Sequence, residues 1–217
     1  MALKLLGHIE LPESLKPGGF DHAAVHCGSG RLYVAHTAND ALDIIDGVDD
    51  RYLHSIPKLA GVAGALVSEE QDLDFTSNRA ENTVGIFAPD QEADLAKVSV
   101  GIRPNGLAYD SGKNLLLVAN VGHPDVPDSF TLSMVNTRER RTISNVRVPG
   151  RTRALRHLYV AIGDPGVVDV FDTDRLKRIE TVQTEPGANT LGFDAVRNKV
   201  YSFLPKTHRA GVYVDTA

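Results

Sequence analysis

A chain of 217 residues, 42% of them hydrophobic, is long enough for one sizeable β core, so a single domain over residues 1–217 is the expectation. Lys and Arg total 23 against 28 Asp and Glu, and the formal charge of -5 offers no broad positive field for a nucleic-acid backbone, which disfavours such a partner. The single cysteine, Cys27, excludes an internal disulfide, a CxxC metal knuckle and covalently attached haem.

At the start of the chain, residues 1–6 carry one lysine and lack the apolar run of a secretory signal. No later stretch approaches the length of apolar sequence that a membrane span needs, so no membrane partner is expected. The default compartment is the cytoplasm, or the exterior if a signal has been removed. Residues 3–11 (LKLLGHIEL) read as a strand belonging to no unit of its own.

From there a repeat sets in. Residues 23–25 and 32–34 flank a turn at 26–30 as a hairpin, followed by a third strand at 42–45 and a fourth at 52–56. The second unit places strands at 73–75, 83–86 and 97–100. The third has a hairpin of 107–109 and 116–118, a long loop at 121–129, then strands at 132–135 and 143–148. The fourth is shortened between 151 and 157 and continues at 158–160, 167–170 and 179–182, and the fifth ends after 200–202 and 212–214. The apolar triplets starting at Leu32, Leu73, Leu116, Leu158 and Val200 are separated by 41, 43, 42 and 42 residues, a period that marks a repeat architecture.

The fifth unit lacks a fourth strand, and its outer edge would leave backbone groups unpaired. The strand at 3–11 fits that place. The fold class expected is therefore all-β, a five-bladed β-propeller closed by pairing the N-terminal strand with the last blade. A ring of six or seven blades, built from a longer chain or from several chains, is the structural rival.

Residues 32–40 (LYVAHTAND), 117–120 (LVAN) and 158–161 (LYVA) resemble the YVTN-type propeller repeats, and the resemblance runs from about residue 21 onward. It implies the propeller fold and no single function.

In such a fold the starts of the first strands and the loops between second and third strands share one face. The repeat phase puts Asp21 and His22, Asn105, and Asn189 at those starts, with His36, Ser77 and Asn120 at the ends of second strands. His123, Asp164 and His208 follow in the adjoining loops. His22, His36, Asn105, Asn120, His123 and Asn189 are thus candidate ligands for a divalent metal ion, with the histidines favouring zinc, iron, copper or manganese and an all-oxygen subset favouring calcium. The placement of Asp21, Asn105 and Asn189 is similar to that of the calcium-holding residues in gluconolactonase- and organophosphatase-type propellers. Those are six-bladed, and the second blade here supplies no acidic counterpart.

The activity expected is a metal-dependent hydrolase of an ester, lactone or phosphoester at the mouth of the channel. His22 or Asp21 would take the proton of a metal-bound water, and Ser77, Asp164 and His208 would contact the small-molecule substrate. A noncatalytic ligand- or protein-binding propeller is the alternative, and a metal-dependent oxidoreductase is third. Asparagines that cap turns and histidines packed in a channel wall are the structural reading of the same residues. His8, His26, His54 and His157 read as solvent-facing, and the charge run 138–141 as a hydrated turn. No GxSxG elbow, Walker loop, HExxH helix or dinucleotide fingerprint is present.

Overall fold

A computed structural model describes residues 8–148, 152–156, 159–172, 177–188, 190–194, 199–204, 206 and 209–214. These residues form antiparallel sheets in chain order with almost no helix. Sheet one is β1 (Phe20–His26), β2 (Arg31–His36), β3 (Ala41–Asp46) and β4 (Arg51–Ile56). Sheet two is β5 (Val62–Ser68), β6 (Leu73–Asn78), β7 (Thr83–Phe87) and β8 (Ala96–Ser99). Sheet three is β9 (Pro104–Asp110), β10 (Leu115–Asn120), β11 (Thr131–Asn136) and β12 (Arg141–Arg147). Sheet four is β13 (Thr152–Arg156), β14 (Tyr159–Ile162), β15 (Val167–Asp172) and β16 (Lys177–Gln183). The fifth has three described strands, β17 (Thr190–Asp194), β18 (Lys199–Leu204) and β19 (Arg209–Val214). Among the described residues no helix is long and apolar enough to cross a membrane.

Each sheet is a meander, and in the first four the middle strands are buried on both faces, which explains why the sequence shows apolar runs rather than strict alternation. In β10, Leu115, Leu117 and Ala119 join Val160, Ile162 and Phe171 of sheet four in one cluster. Leu116 and Val118 point the other way, to Phe75, Val84 and Ile86 of sheet two. Tyr33, Leu42 and Ile44 of sheet one meet Val62 and Phe87 of sheet two, and Tyr159 and Val168 of sheet four meet Tyr213 of the fifth. Successive sheets thus pack face to face, with β1, β5, β9, β13 and β17 adjacent in that order.

The register corrects the spacing drawn from the triplets. The second strands end at His36, Asn78, Asn120, Ile162 and Leu204, a constant interval. The uneven steps around the second unit arose because Leu73 was aligned with Leu32, whereas Phe75 is the counterpart of the buried Tyr33 and Leu117. Asn78 rather than Ser77 therefore occupies the strand end.

Of the strand expected over residues 3–11, residues 3–7 lie outside the described residues, and 8–11 are not in a strand. Residues 13–19 instead run beside the turn between β2 and β3, where Leu15 N donates to Asn39 Oδ1 at 2.8 Å and Ala38 N to Gly19 O at 3.2 Å.

Candidate functional site

The first strands of the first four sheets begin with an irregularity of pairing. Register shifts fall between Phe20 and Ala23, between Val62 and Gly64, opposite Val118 and Asn120 on β9, and between Thr152 and Ala154. In each, one extra residue on the first strand bends it and re-aims the side chains at its start. Asp21 and His22 sit in the first of these bulges, and Asn105 in the third.

No three His, Cys, Asp or Glu side chains converge among the described residues. His22 is half-exposed, its Nδ1 3.9 Å from Asp21 Oδ1, while the other Asp21 oxygen accepts from Arg79 Nη2 at 3.1 Å. His36 is fully buried with both ring nitrogens committed, Nδ1 to Asp43 Oδ2 at 2.8 Å and Nε2 to Ser14 Oγ at 3.2 Å. Asn120 is also fully buried and donates to Thr131 Oγ1 at 3.0 Å and Ser133 Oγ at 2.7 Å. The backbone oxygen of Asn105 accepts from Ser77 Oγ at 2.6 Å.

Ser77 itself has no exposure: it also accepts from Gly64 N at 2.7 Å and so ties β5 to β9. Asp164 is exposed in the turn after β14. Asn189 and His208 lie outside the described residues, as does His157. Of the other histidines, His8 is exposed, His54 pairs with Glu92 at 2.7 Å and His26 Nδ1 caps its own hairpin by accepting from Ser29 N.

A cavity of about 480 Å³ opens beside these strand starts, lined across sheets one to three by Thr37, Gly61, Arg79, Asn82, Arg103 and His123, with Ala80, Ile102 and Val126 as its apolar wall. Its volume suits a small organic ligand. The loop singled out for its length, residues 121–130 against four residues at 37–40, 79–82 and 163–166, supplies His123 and Val126. Ser129 folds that loop back, its Oγ bonded at 2.9 Å to both His123 N and His123 O.

Two of the lining polar groups are spent on the protein. Thr37 Oγ1 donates to Val62 O at 2.6 Å, and Asn82 Oδ1 accepts from Arg103 N at 2.9 Å. The cationic groups are less committed. Arg79 Nε is buried with no hydrogen-bond partner among the described residues, although its Nη2 reaches Asp21.

Arg103 carries the most informative backbone. Its φ of +56° is left-handed, a region that penalises a side chain. Gly61 stands at the corresponding place one sheet earlier with φ of +62°. The correspondence is close: Gly61 N donates to Asp40 Oδ1 at 2.8 Å as Arg103 N donates to Asn82 Oδ1, and both carbonyls accept from the residue that follows their second strand. Asp40 is further held by Lys16, and these two contacts, Lys16 first, keep its carboxyl below the usual carboxylate range. The sequence reading missed Arg79 and Arg103; a side chain at a position where the previous repeat uses glycine was the available signal for Arg103.

No family model and no curated protein matches the chain. A crystal structure of a functionally unknown protein from Desulfotomaculum acetoxidans is similar over 91% of this chain and 69% of its own, with a TM-score of 0.68 and 15% identity. At that identity the likeness concerns the fold alone.

Proposed function

We propose that the five sheets are the blades of a closed, YVTN-type five-bladed β-propeller, and that the cavity at the strand starts binds a small anionic molecule. The ligand is a carboxylate or phosphate carried on a short apolar body. The observation that carries this reading is Arg103, placed on a left-handed backbone where glycine serves in the preceding sheet and lining the same cavity as Arg79 and His123. Left-handed backbone also serves ordinary turns of this chain at Asp50 and Arg140, but at Arg103 it lines a concave surface, where such strain accompanies function. Guanidinium groups match carboxylate and phosphate oxygens through paired N–H donors, and Ile102 and Val126 would meet the carbon body.

The order of the first strands and the face-to-face packing of successive sheets support the ring. Closure would complete the three-stranded fifth sheet with a strand from the N-terminal residues.

Thermal-shift titration of the purified protein with phosphate, acetate, succinate and a neutral sugar tests the binding reading. Anions alone should raise the midpoint, and Arg103→Gly should abolish the rise. A sugar shifting the midpoint as much as the anions, or an anion response intact in Arg103→Gly, would refute it. Elemental analysis of the same sample separates it from a metal-dependent hydrolase, which requires a stoichiometric metal lost on changing His22 or His36.

A further inference from the structure

Ser14, His36 and Asp43 form a line of hydrogen bonds unlike the rest of the repeat. At the corresponding places sheet three has Asn120 and Ser133, and sheet four has Ile162 and Asp169; in each, the third-strand residue is also tied to the fourth strand. That polar layer is structural. Sheet one replaces the amide with an imidazole, and the imidazole reaches beyond the layer to a serine on an exposed segment.

The direction of each bond follows from the groups. Asp43 is fully buried and accepts from Ser55 Oγ at 2.6 Å on one oxygen and from His36 Nδ1 at 2.8 Å on the other. A carboxylate acceptor fixes the proton on Nδ1, which leaves Nε2 with its lone pair toward Ser14 Oγ at 3.2 Å. The ring cannot turn away, because Phe20 lies against it with centroids 4.3 Å apart.

Ser14 is positioned from both sides by one carboxamide. Asn39 Nδ2 donates to Glu13 O at 3.0 Å, and Asn39 Oδ1 accepts from Leu15 N at 2.8 Å. The Lys16–Asp40 ion pair fastens the next residue.

We infer that Ser14 is an activated nucleophile, with His36 as its general base and Asp43 as the group that orients the base, capable of acyl transfer from activated esters without a metal ion. This goes beyond ligand binding at the cavity and rests on different residues. As Ser14 Oγ attacks the ester carbonyl, its proton passes to His36 Nε2, the Oγ–C bond forms and the bond to the leaving alcohol breaks as that proton is returned to the alkoxide. Water then repeats the sequence, releasing the acid and restoring the serine. Leu15 N–H is committed to Asn39, so the nearest following backbone donor does not stabilise the oxyanion, and the expected substrates are esters with good leaving groups.

Diisopropyl fluorophosphate is the direct probe: the Oγ–P bond forms, the P–F bond breaks, fluoride leaves and the proton goes to solvent through His36. Intact mass and peptide mapping should find one adduct per chain, on Ser14. Ser14→Ala should carry none. His36→Asn, which installs the residue that sheets two and three use at this place, should slow labelling about a hundredfold with an unchanged circular-dichroism spectrum. Asn39→Ala, which releases the clamp without touching the relay, should slow it several-fold and serves if His36→Asn does not fold. Ser14 unlabelled, labelled no faster than exposed Ser29, or labelled at an unchanged rate in the folded His36 and Asn39 variants would overturn the assignment.

Discussion

His36 Nδ1 lies 2.8 Å from Asp43 Oδ2 with neither side chain exposed to solvent, so each depends on the other for its place in the first sheet. Replacing His36 by leucine leaves a buried carboxylate with Ser55 alone. The expected loss of stability is about 3 kcal/mol, measured by urea denaturation, and His36→Asn should cost markedly less because an amide N–H can take over.

Arg103→Gly should move stability and binding in opposite directions. Removing the side chain from a left-handed backbone is expected to stabilise the fold by about 1 kcal/mol, read from the denaturation midpoint, while the anion response disappears. A variant that loses stability would show that the side chain is held for packing.

Asp21 is set against Arg79 at 3.1 Å, where it competes with any anion for the guanidinium. Asp21→Asn should therefore tighten phosphate binding by about twofold to fivefold, measured by equilibrium dialysis. A hydrolytic role for Asp21 would make the same variant inactive without tightening.

Asp74 makes the stability respond to pH. Burial pushes its carboxyl up to about 6, against the opposing pull of the Tyr33 hydroxyl, His26 and Arg31 and with the help of Asp72. A carboxyl whose folded-state value is raised favours the protonated form in the folded chain. Its ionisation costs nothing below the ordinary carboxylate range, and the cost grows as pH rises through about 6. Unfolding at about pH 3.5 and at pH 8 should show Asp74→Asn to be stabilising by about 2–3 kcal/mol at the higher pH and close to neutral at the lower, with roughly half of the gain already present at about pH 5.

Ser77→Ala tests a residue that the sequence placed against substrate. Its hydroxyl bridges Gly64 N and Asn105 O, and these inner strands approach so closely that a Cβ on Gly64 would lie 2.5 Å from Asn105 O. Loss of the bridge should cost about 1–3 kcal/mol on denaturation and leave anion affinity unchanged.

The repeat was legible because the middle strands of the first four sheets are buried on two faces, so their apolar residues stand out from the turns around them. The alignment slipped at β6, where Asp74, Thr76, Ser77 and Asn78 are buried polar residues and only Leu73 and Phe75 are apolar, and this displaced the strand-end assignment from Asn78 to Ser77. The site was legible only by its face of the molecule. His123 was found because it follows a second strand in the repeat phase; Arg103 showed itself only as a side chain where the preceding repeat has Gly61, and Arg79 through a cavity that no residue pattern displays. Ser14 lies 22 residues before its histidine on a segment without regular structure, and no nucleophile motif marks it.

Calorimetric titration of phosphate and of succinate into the wild-type protein, Arg79→Gln and Arg103→Gly, at low and at raised salt, tests the anion site most directly. The prediction is saturable binding of at least one of the two, weakened about tenfold or more by either substitution and weakened further by salt. Binding of equal affinity in all three proteins, or no binding of either anion to the wild type, would contradict it.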